Sequence, residues 1–331
     1  MKHFATILLQ VILITCIFGF LFWNAIAAVD DEGKNIFTIL YEQPKQWHFL
    51  AGAFVAQFLA LSLTIIRWYC LLQALGLQCS RREAFRLGFF GYTLGLAPLG
   101  LVGGDAVRAV MIAQRNPDCR SQAVASVFVD RLVGLLVLFI YATIFVLYAG
   151  YFARPEIAAQ TFTYAAFALT ASALLGTAIV FLPFFAKGHA ERLIAKVPLV
   201  GKLGSKFVHA LLLFRNHKRC LLKCCCITVF SHLCFALSLY CAAIALFTSV
   251  PGVIDHVMLH SIANLAALIP LAAGPYEWAL EELYQLEAMC IGMGFIVALM
   301  CRVMTISVAA VVISWYFASG INERRATDKT D

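Results

Sequence analysis

The sequence predicts an all-α, polytopic membrane helix bundle, on three observations. Hydrophobic residues make up 62% of the 331 and charged residues only 13%, with a mean hydropathy of +0.86. Six apolar runs are long enough to cross a hydrocarbon core, which takes roughly 20 helical residues. Two more apolar runs are interrupted by proline and glycine and then carry charge. The expected architecture is about six full spans with two re-entrant broken-helix hairpins in an inverted repeat. Residues 1–331 form one integral-membrane domain, because no polar stretch is long enough for an independent catalytic domain. The net charge of +7 falls between the apolar runs and does not suggest a nucleic-acid partner.

Phe4–Val29 is span 1. With Met1-Lys2-His3 before it and Ala25-Ile26-Ala27 near its end it looks like a signal peptide, but its apolar core exceeds the ~7–15 residues of such a leader, so it is expected to stay. An acidic loop, Asp30–Gln46, precedes span 2, Trp47–Leu75. Arg81, Arg82 and Arg86 lead into the first interrupted segment, 84–116. Arg115 and Arg120 introduce span 3, Gln122–Tyr148, and Arg154-Pro155-Glu156 separates it from span 4, Gln160–Leu182. A basic loop, 184–220, joins the first half, 1–183, to the second, 221–320. The stretch Lys187–Lys223 carries nine basic residues against the single acid Glu191. Span 5 is Leu221–Phe247, the second interrupted segment is 253–287, span 6 is Ala288–Ser319, and 321–331 is a polar tail.

In the first interrupted segment an arm Ala84–Ala97 is followed by Pro98, Gly100, Gly103 and Gly104, then by Asp105 and Arg108. Proline removes a donor and clashes with the preceding turn, and glycine loosens the backbone. Freed backbone groups at membrane depth need protein or a watery cavity around them. The expectation is therefore helix, a non-helical tip at Pro98–Gly104, and a second arm from about Asp105 to Arg115, with Asp105 as its N-cap. The second tip begins at Pro270 and holds Gly274 and Glu277. In both tips Pro-Leu is followed by small residues, and an acid stands seven positions after the proline. An arginine, Arg131 or Arg302, then follows the acid by twenty-six or twenty-five positions.

Lysine and arginine counts set the orientation. With the amino terminus inside, Lys34, Lys45 and Arg154 are outside. Arg67, Arg108, Arg131 and Arg302 lie in apolar segments, which leaves eighteen of the twenty-five basic residues inside. That holds only if both interrupted segments return to the side they came from, the first entering from inside and the second from outside. Both termini are then cytoplasmic.

An ionisable group in the bilayer needs a partner or a function. Asp130 and Arg131 are neighbours on a helix and point about 100° apart, so each must look elsewhere. Arg108 could serve Asp130, and Asp105 or Glu277 could serve Arg131. Arg302 lies too deep to reach the surface, whereas Arg67 is placed to snorkel. A half-helix N-terminus near Asp105, with Arg108 and Arg131, would attract a phosphate. Glu277 and Glu281 are one turn apart and could line an acidic mouth, while Glu282 and Glu287 are expected in solvent. His232 and His260 are isolated and read as packing histidines. The twelve cysteines lack zinc-finger spacing and a disulfide framework is not expected. Cys224-Cys225-Cys226 reads as soft packing, with acylation or metal binding as alternatives. No metal or cofactor is called for.

The residues Arg67-Trp68, PLGLVGGDAVR (Pro98–Arg108) and VASVFVDRLVGLL (Val124–Leu136) resemble the lysylphosphatidylglycerol synthase transmembrane region, the flippase-like domain of the multiple peptide resistance factor. Gly103, Gly104, Asp105, Arg108, Asp130, Arg131 and Gly134 fit its first signatures. At the second tip Pro270, Gly274 and Glu277 fit, but Leu271 and Ala272 replace paired glycines. The resemblance spans roughly residues 5–320. It implies translocation of lipid across the cytoplasmic membrane, with aminoacylated phospholipid as the best-known cargo. The aminoacyl-transferase domain that often follows is not among these residues, so an anionic, zwitterionic, aminoacylated or glycan-linked lipid all remain open as cargo. The expected headgroup-binding set is Gly103, Gly104, Asp105, Arg108, Asp130, Arg131, Glu277 and Arg302. The expected partners are a membrane phospholipid or lipid-linked substrate, and a separately encoded synthase or transferase. The alternatives are a membrane-embedded enzyme acting on a lipid-linked phosphate, which lacks a visible catalytic constellation here, and a scaffold for a lipid synthase.

Overall fold

The structure is a computed structural model, described for residues 2–29, 33–95, 100–181, 212–269 and 271–327. Among these residues it is mainly helical, with short connections and no strand. In chain order the helices are α1 (Lys2–Ala27), α2 (Ile36–Glu42), α3 (Trp47–Ala74), α4 (Arg81–Gly95), α5 (Gly100–Arg115) and α6 (Arg120–Tyr148). Then come α7 (Ile157–Phe181), α8 (Lys218–Leu246), α9 (Val253–Ala266), α10 (Pro275–Leu286) and α11 (Met293–Thr327). Six of them, α1, α3, α6, α7, α8 and α11, are long and apolar enough to cross a membrane. The expected acidic loop contains a short helix, α2; Asn35 caps it by accepting the Thr38 N–H at 3.0 Å. Most of the basic loop, Pro98, Pro270 and Lys187 lie outside the described residues.

The centre of the bundle is the antiparallel pair α3 and α8, the most extensive helix contact among the described residues. Small residues let the two backbones come close: Ala53, Ala56 and Ala60 on α3, and Ser231, Ser238 and Ala242 on α8, are all buried. Without water to drive association, membrane helices pair through such small-residue contacts and interhelical hydrogen bonds. Ser238 Oγ donates to the Ala53 carbonyl at 2.9 Å and Ser231 Oγ to that of Ala60 at 3.1 Å. Cys224 Sγ points at the Arg67 carbonyl at 3.7 Å and Cys220 Sγ at that of Cys70 at 3.5 Å. These partners descend one helix as they climb the other, so they fix the register. Cys224 is buried in this seam, while Cys226 is exposed.

A helix pair is docked on each side. α4 and α5 lie against α3 and α6, seated on a cluster of Trp68, Leu72, Leu87, Ile112, Ala123 and Val127. α9 and α10 lie against α6, α8 and α11, within the largest apolar cluster, which includes Leu239, Leu259, Ile262, Leu280 and Tyr284. His256 Nε2 and the Tyr284 hydroxyl, 2.8 Å apart, join α9 to α10. By contrast α1 and α7 bury little of themselves and carry exposed Phe20, Trp23, Tyr164 and Leu175.

The first break differs from the expected one. α5 begins at Gly100, so Gly103, Gly104 and Asp105 lie inside a helix and Asp105 is not its N-cap. The reason is packing. A Cβ on Gly104 would stand 2.1 Å from the Gly91 carbonyl oxygen, and one on Gly91 would meet Arg108 Cγ at 2.3 Å. α4 and α5 therefore cross at backbone contact, and that contact offsets the helix-interior penalty of glycine, roughly 0.5–1 kcal/mol relative to alanine.

Two expectations about acids are also overturned. Glu281 does not share a mouth with Glu277. It is buried, and it accepts the N–H of Gly292 at 2.6 Å and of Phe295 at 2.9 Å, which satisfies donors at the start of α11. Glu287 is not simply solvated. It accepts from the Tyr151 hydroxyl at 3.0 Å and stands 3.5 Å from Arg154 Nη2, while Arg154 Nη1 donates to the Leu286 carbonyl at 2.8 Å. This ties the α6–α7 connection to the end of α10. Burial, then the Glu287 carboxylate, pushes the Tyr151 hydroxyl well above its ordinary pKa, so it stays a donor.

Candidate functional site

The helix pairs, the α3–α8 seam, α6 and α11 enclose a cavity of about 410 Å³. Its wall is apolar in the main but receives charge from five elements: Arg67, Asp105, Arg108, Asp130, Arg131, Glu277 and Arg302 all face it. Every charged residue expected at a headgroup site is therefore present in one chamber, together with Arg67, which was not expected there.

On one side Arg131 of α6 donates through Nε to Asp105 Oδ2 of α5. Asp105 Oδ1 stands 3.4 Å from Arg108 Nη1, one turn along the same helix. The position of Asp105 in the second turn of α5, rather than at its cap, lets the carboxylate turn toward α6. Asp130, the residue before Arg131, points the other way, as adjacent helical positions must. Its Oδ1 accepts from Arg67 Nε at 2.8 Å and its Oδ2 is 3.6 Å from Arg108 Nη2. Arg67 also donates from Nη1 to Thr228 Oγ1 at 2.9 Å. Arg67 thus does not snorkel: a carboxylate on α6 and a hydroxyl on α8 satisfy it in place. Gly134, one turn after Asp130, leaves room for its guanidinium, since a Cβ there would lie 3.1 Å from Nη1. The main partner of Asp130 is Arg67, with Arg108 further off.

On the other side Arg302 of α11 donates to Glu277 Oε1 of α10, at 2.7 Å from Nε, and from Nη1 to the Ala272 carbonyl at 3.1 Å. Glu277 Oε2 accepts the Gly274 N–H at 2.7 Å, which closes the N-terminus of α10. Gly274 has φ +106°, a conformation that side chains rarely adopt, and it lets the chain turn into Pro275 at the first helical position. Both arginines keep access to the chamber: 42% of the Arg131 side chain and 29% of that of Arg302 are exposed, against 8% for Arg67 and 4% for Asp130.

Neutral polar groups complete the lining, and among them His232 and His260, expected to be isolated, are neighbours. Gln57 Nε2 donates to Thr305 Oγ1 at 2.8 Å, and Tyr92 reaches the same two side chains. His232 and His260, with ring centres 6.0 Å apart, lie at the α6–α8–α9 end with Asn264. Gln57, mid-way along a largely apolar span, and the two histidines were the signals for this part. No group of three or more His, Cys, Asp or Glu among the described residues is arranged to hold a metal.

The fold and site define a class: a polytopic helical membrane protein with a charge-lined chamber between two interrupted helix pairs. Within that class, the family model described as the lysylphosphatidylglycerol synthase TM region matches residues 6–317, and the chain belongs to that family. No curated protein and no solved structure matches the chain.

Proposed function

We propose that the protein is a flippase or related transporter that moves an anionic or zwitterionic lipid across the cytoplasmic membrane by alternating access. The observation that carries this reading is the pair of arginine–carboxylate contacts, Arg131–Asp105 and Arg302–Glu277, facing one chamber from separate helix pairs. A headgroup crossing hydrocarbon must exchange its hydration for fixed partners, and these are the groups placed to supply them. α4–α5 and α9–α10 act as re-entrant hairpins entering from opposite faces, and the antiparallel α3–α8 seam lies on the axis relating the halves. Inverted repeats with interrupted helices around a central site are a transporter architecture. Both termini are cytoplasmic. The protein performs no chemistry on its cargo; a separately encoded synthase or transferase supplies it.

Lipid scrambling in vesicles reconstituted with the full chain tests this. Arg131→Gln and Arg302→Gln each remove a charge clamp and keep bulk, so each should lower the rate per folded protein. Lys34→Gln, at a surface pair with Glu42, should not. Wild-type rates in both arginine variants would refute the chamber as the lipid path.

A further inference from the structure

The charges facing the chamber do not cancel. Among the described residues, four guanidinium groups meet three carboxylates. Three pairs are in close contact: Arg67 with Asp130, Arg131 with Asp105, and Arg302 with Glu277. Arg108 is the fourth cation. The carboxylate oxygens near it, at 3.4 Å and 3.6 Å, belong to Asp105 and Asp130, which are already bound by other arginines. Its Nε and Nη2 are buried without a hydrogen-bond partner among the described residues. The guanidinium lies over the Trp68 ring, 4.2 Å from its centroid, and Trp68 is itself anchored by its Nε1–H to Ser126 Oγ at 3.2 Å. The indole holds the guanidinium plane and favours a cation, but it accepts none of those N–H groups.

Buried charged donors without acceptors are costly. Among the described residues the chamber therefore carries a surplus of one positive charge, held over Trp68 beside the more exposed Arg131. His232 and His260 do not alter the direction, since neutral rings leave the count unchanged and protonated rings add to it.

We infer that the chamber selects a cargo with one net negative charge, a phosphodiester monoanion whose headgroup is otherwise uncharged, and discriminates against headgroups that add a cationic amine. This rests on the reading of the chamber as a headgroup path. A phosphodiester's two non-bridging oxygens accept side by side, as a guanidinium donates. An added amine would cancel the charge that Arg108 and Arg131 attract and stand among four guanidinium groups. The surplus on Arg108 sets the preference, and the carboxylates set an upper limit on how much negative charge is welcome.

The test uses vesicles of neutral phosphatidylcholine holding the full chain and a trace of fluorescent phosphatidylglycerol, phosphatidylcholine or lysylphosphatidylglycerol. Phosphatidylglycerol should move about tenfold faster than either of the others, a modest part of the coulombic difference between one charge and none within roughly 4–6 Å. Arg108→Gln should bring the three rates together, and Arg108→Lys should keep the preference. If Arg108→Gln misfolds, Asp105→Asn, which raises the surplus to two, should widen the preference instead. Equal wild-type rates for all three lipids would overturn the charge rule and leave transport standing. If none moves faster than in protein-free vesicles, the transport reading fails, and the charge rule is decided by co-purified lipid. Enrichment of phosphatidylglycerol that Arg108→Gln loses supports it, and no enrichment overturns it. Soluble glycerophosphoglycerol separates headgroup from lipid: competition by it supports recognition through the phosphodiester, and equal competition by glycerophosphocholine contradicts it.

Discussion

Replacing Asp130 with alanine should be among the most damaging single changes in the molecule. The carboxylate is the close partner of Arg67, at 2.8 Å, and also stands 3.6 Å from Arg108, with only 4% of its side chain exposed. Alanine would leave two buried guanidinium groups facing each other, with Thr228 as the only remaining acceptor for Arg67 in the hydrogen bonds described above. Breaking a buried ion pair from one side costs about 3–5 kcal/mol, because the other charge stays behind uncompensated. The exposed pair Arg115–Glu83, at 47% and 32% exposure, is worth about 0.2–1 kcal/mol and serves as the control. Asp130→Asn should fall between, since an amide oxygen can still accept from Arg67. Unfolding of the purified protein by a denaturing detergent in mixed micelles gives the comparison. Asp130→Leu/Arg67→Met should recover much of the loss, because both charges leave together, and a double-mutant cycle should give a coupling larger than that of Asp130 with Arg108. A shift for Asp130→Ala no larger than that for Glu83→Gln, or strictly additive losses with Arg67, would refute the pairing.

Gly104→Ala should disrupt the docking of α5, since its Cβ would fall 2.1 Å from a backbone oxygen, whereas Gly176→Ala has nothing within 4 Å and should be neutral; melting of the two variants decides it. Orientation is read by thiol labelling in intact cells. The exposed Cys290, between α10 and α11, should react with an impermeant reagent from outside, and Cys119, between α5 and α6, only after permeabilisation. Cys79 is a poor probe, because burial pushes its thiol up to about 11. A pH test applies to the end of the first pair: the Ser80 N–H, and then Arg115, hold the Glu83 carboxyl below its ordinary value of 4.5. Its contribution should be complete above about pH 4.5 and be lost as pH falls through the lower folded-state value, giving wild type an acid-side loss of melting temperature that Glu83→Gln lacks.

Composition and run length determined the helical membrane class and the six long helices. A bilayer accepts few other solutions for a chain this apolar, so span-forming segments can be read without knowing what they touch. The acids and arginines of the site were legible for a related reason: Asp105, Asp130, Arg131, Glu277 and Arg302 are costly where they stand and so mark themselves. The separation of Asp130 from Arg131 followed from helix geometry alone.

Tertiary structure decided who meets whom. Arg67 looked like a snorkelling residue because its own helix ends nearby; that Asp130 and Thr228 wait for it depends on how α3, α6 and α8 cross. Asp105 looked like an N-cap because two glycines precede it, and only the contact of Gly104 with Gly91 shows that glycine serving helix packing instead. Glu281 reads like Glu277 one turn on, yet one caps α11 and the other faces Arg302. The surplus charge on Arg108 is likewise invisible in the sequence, which holds the same arginines and carboxylates however they are paired. Local sequence fixes the helix a charge rides on and its angle around that helix; the packing of distant helices fixes its partner, and with it whether the charge is spent on stability or left to bind.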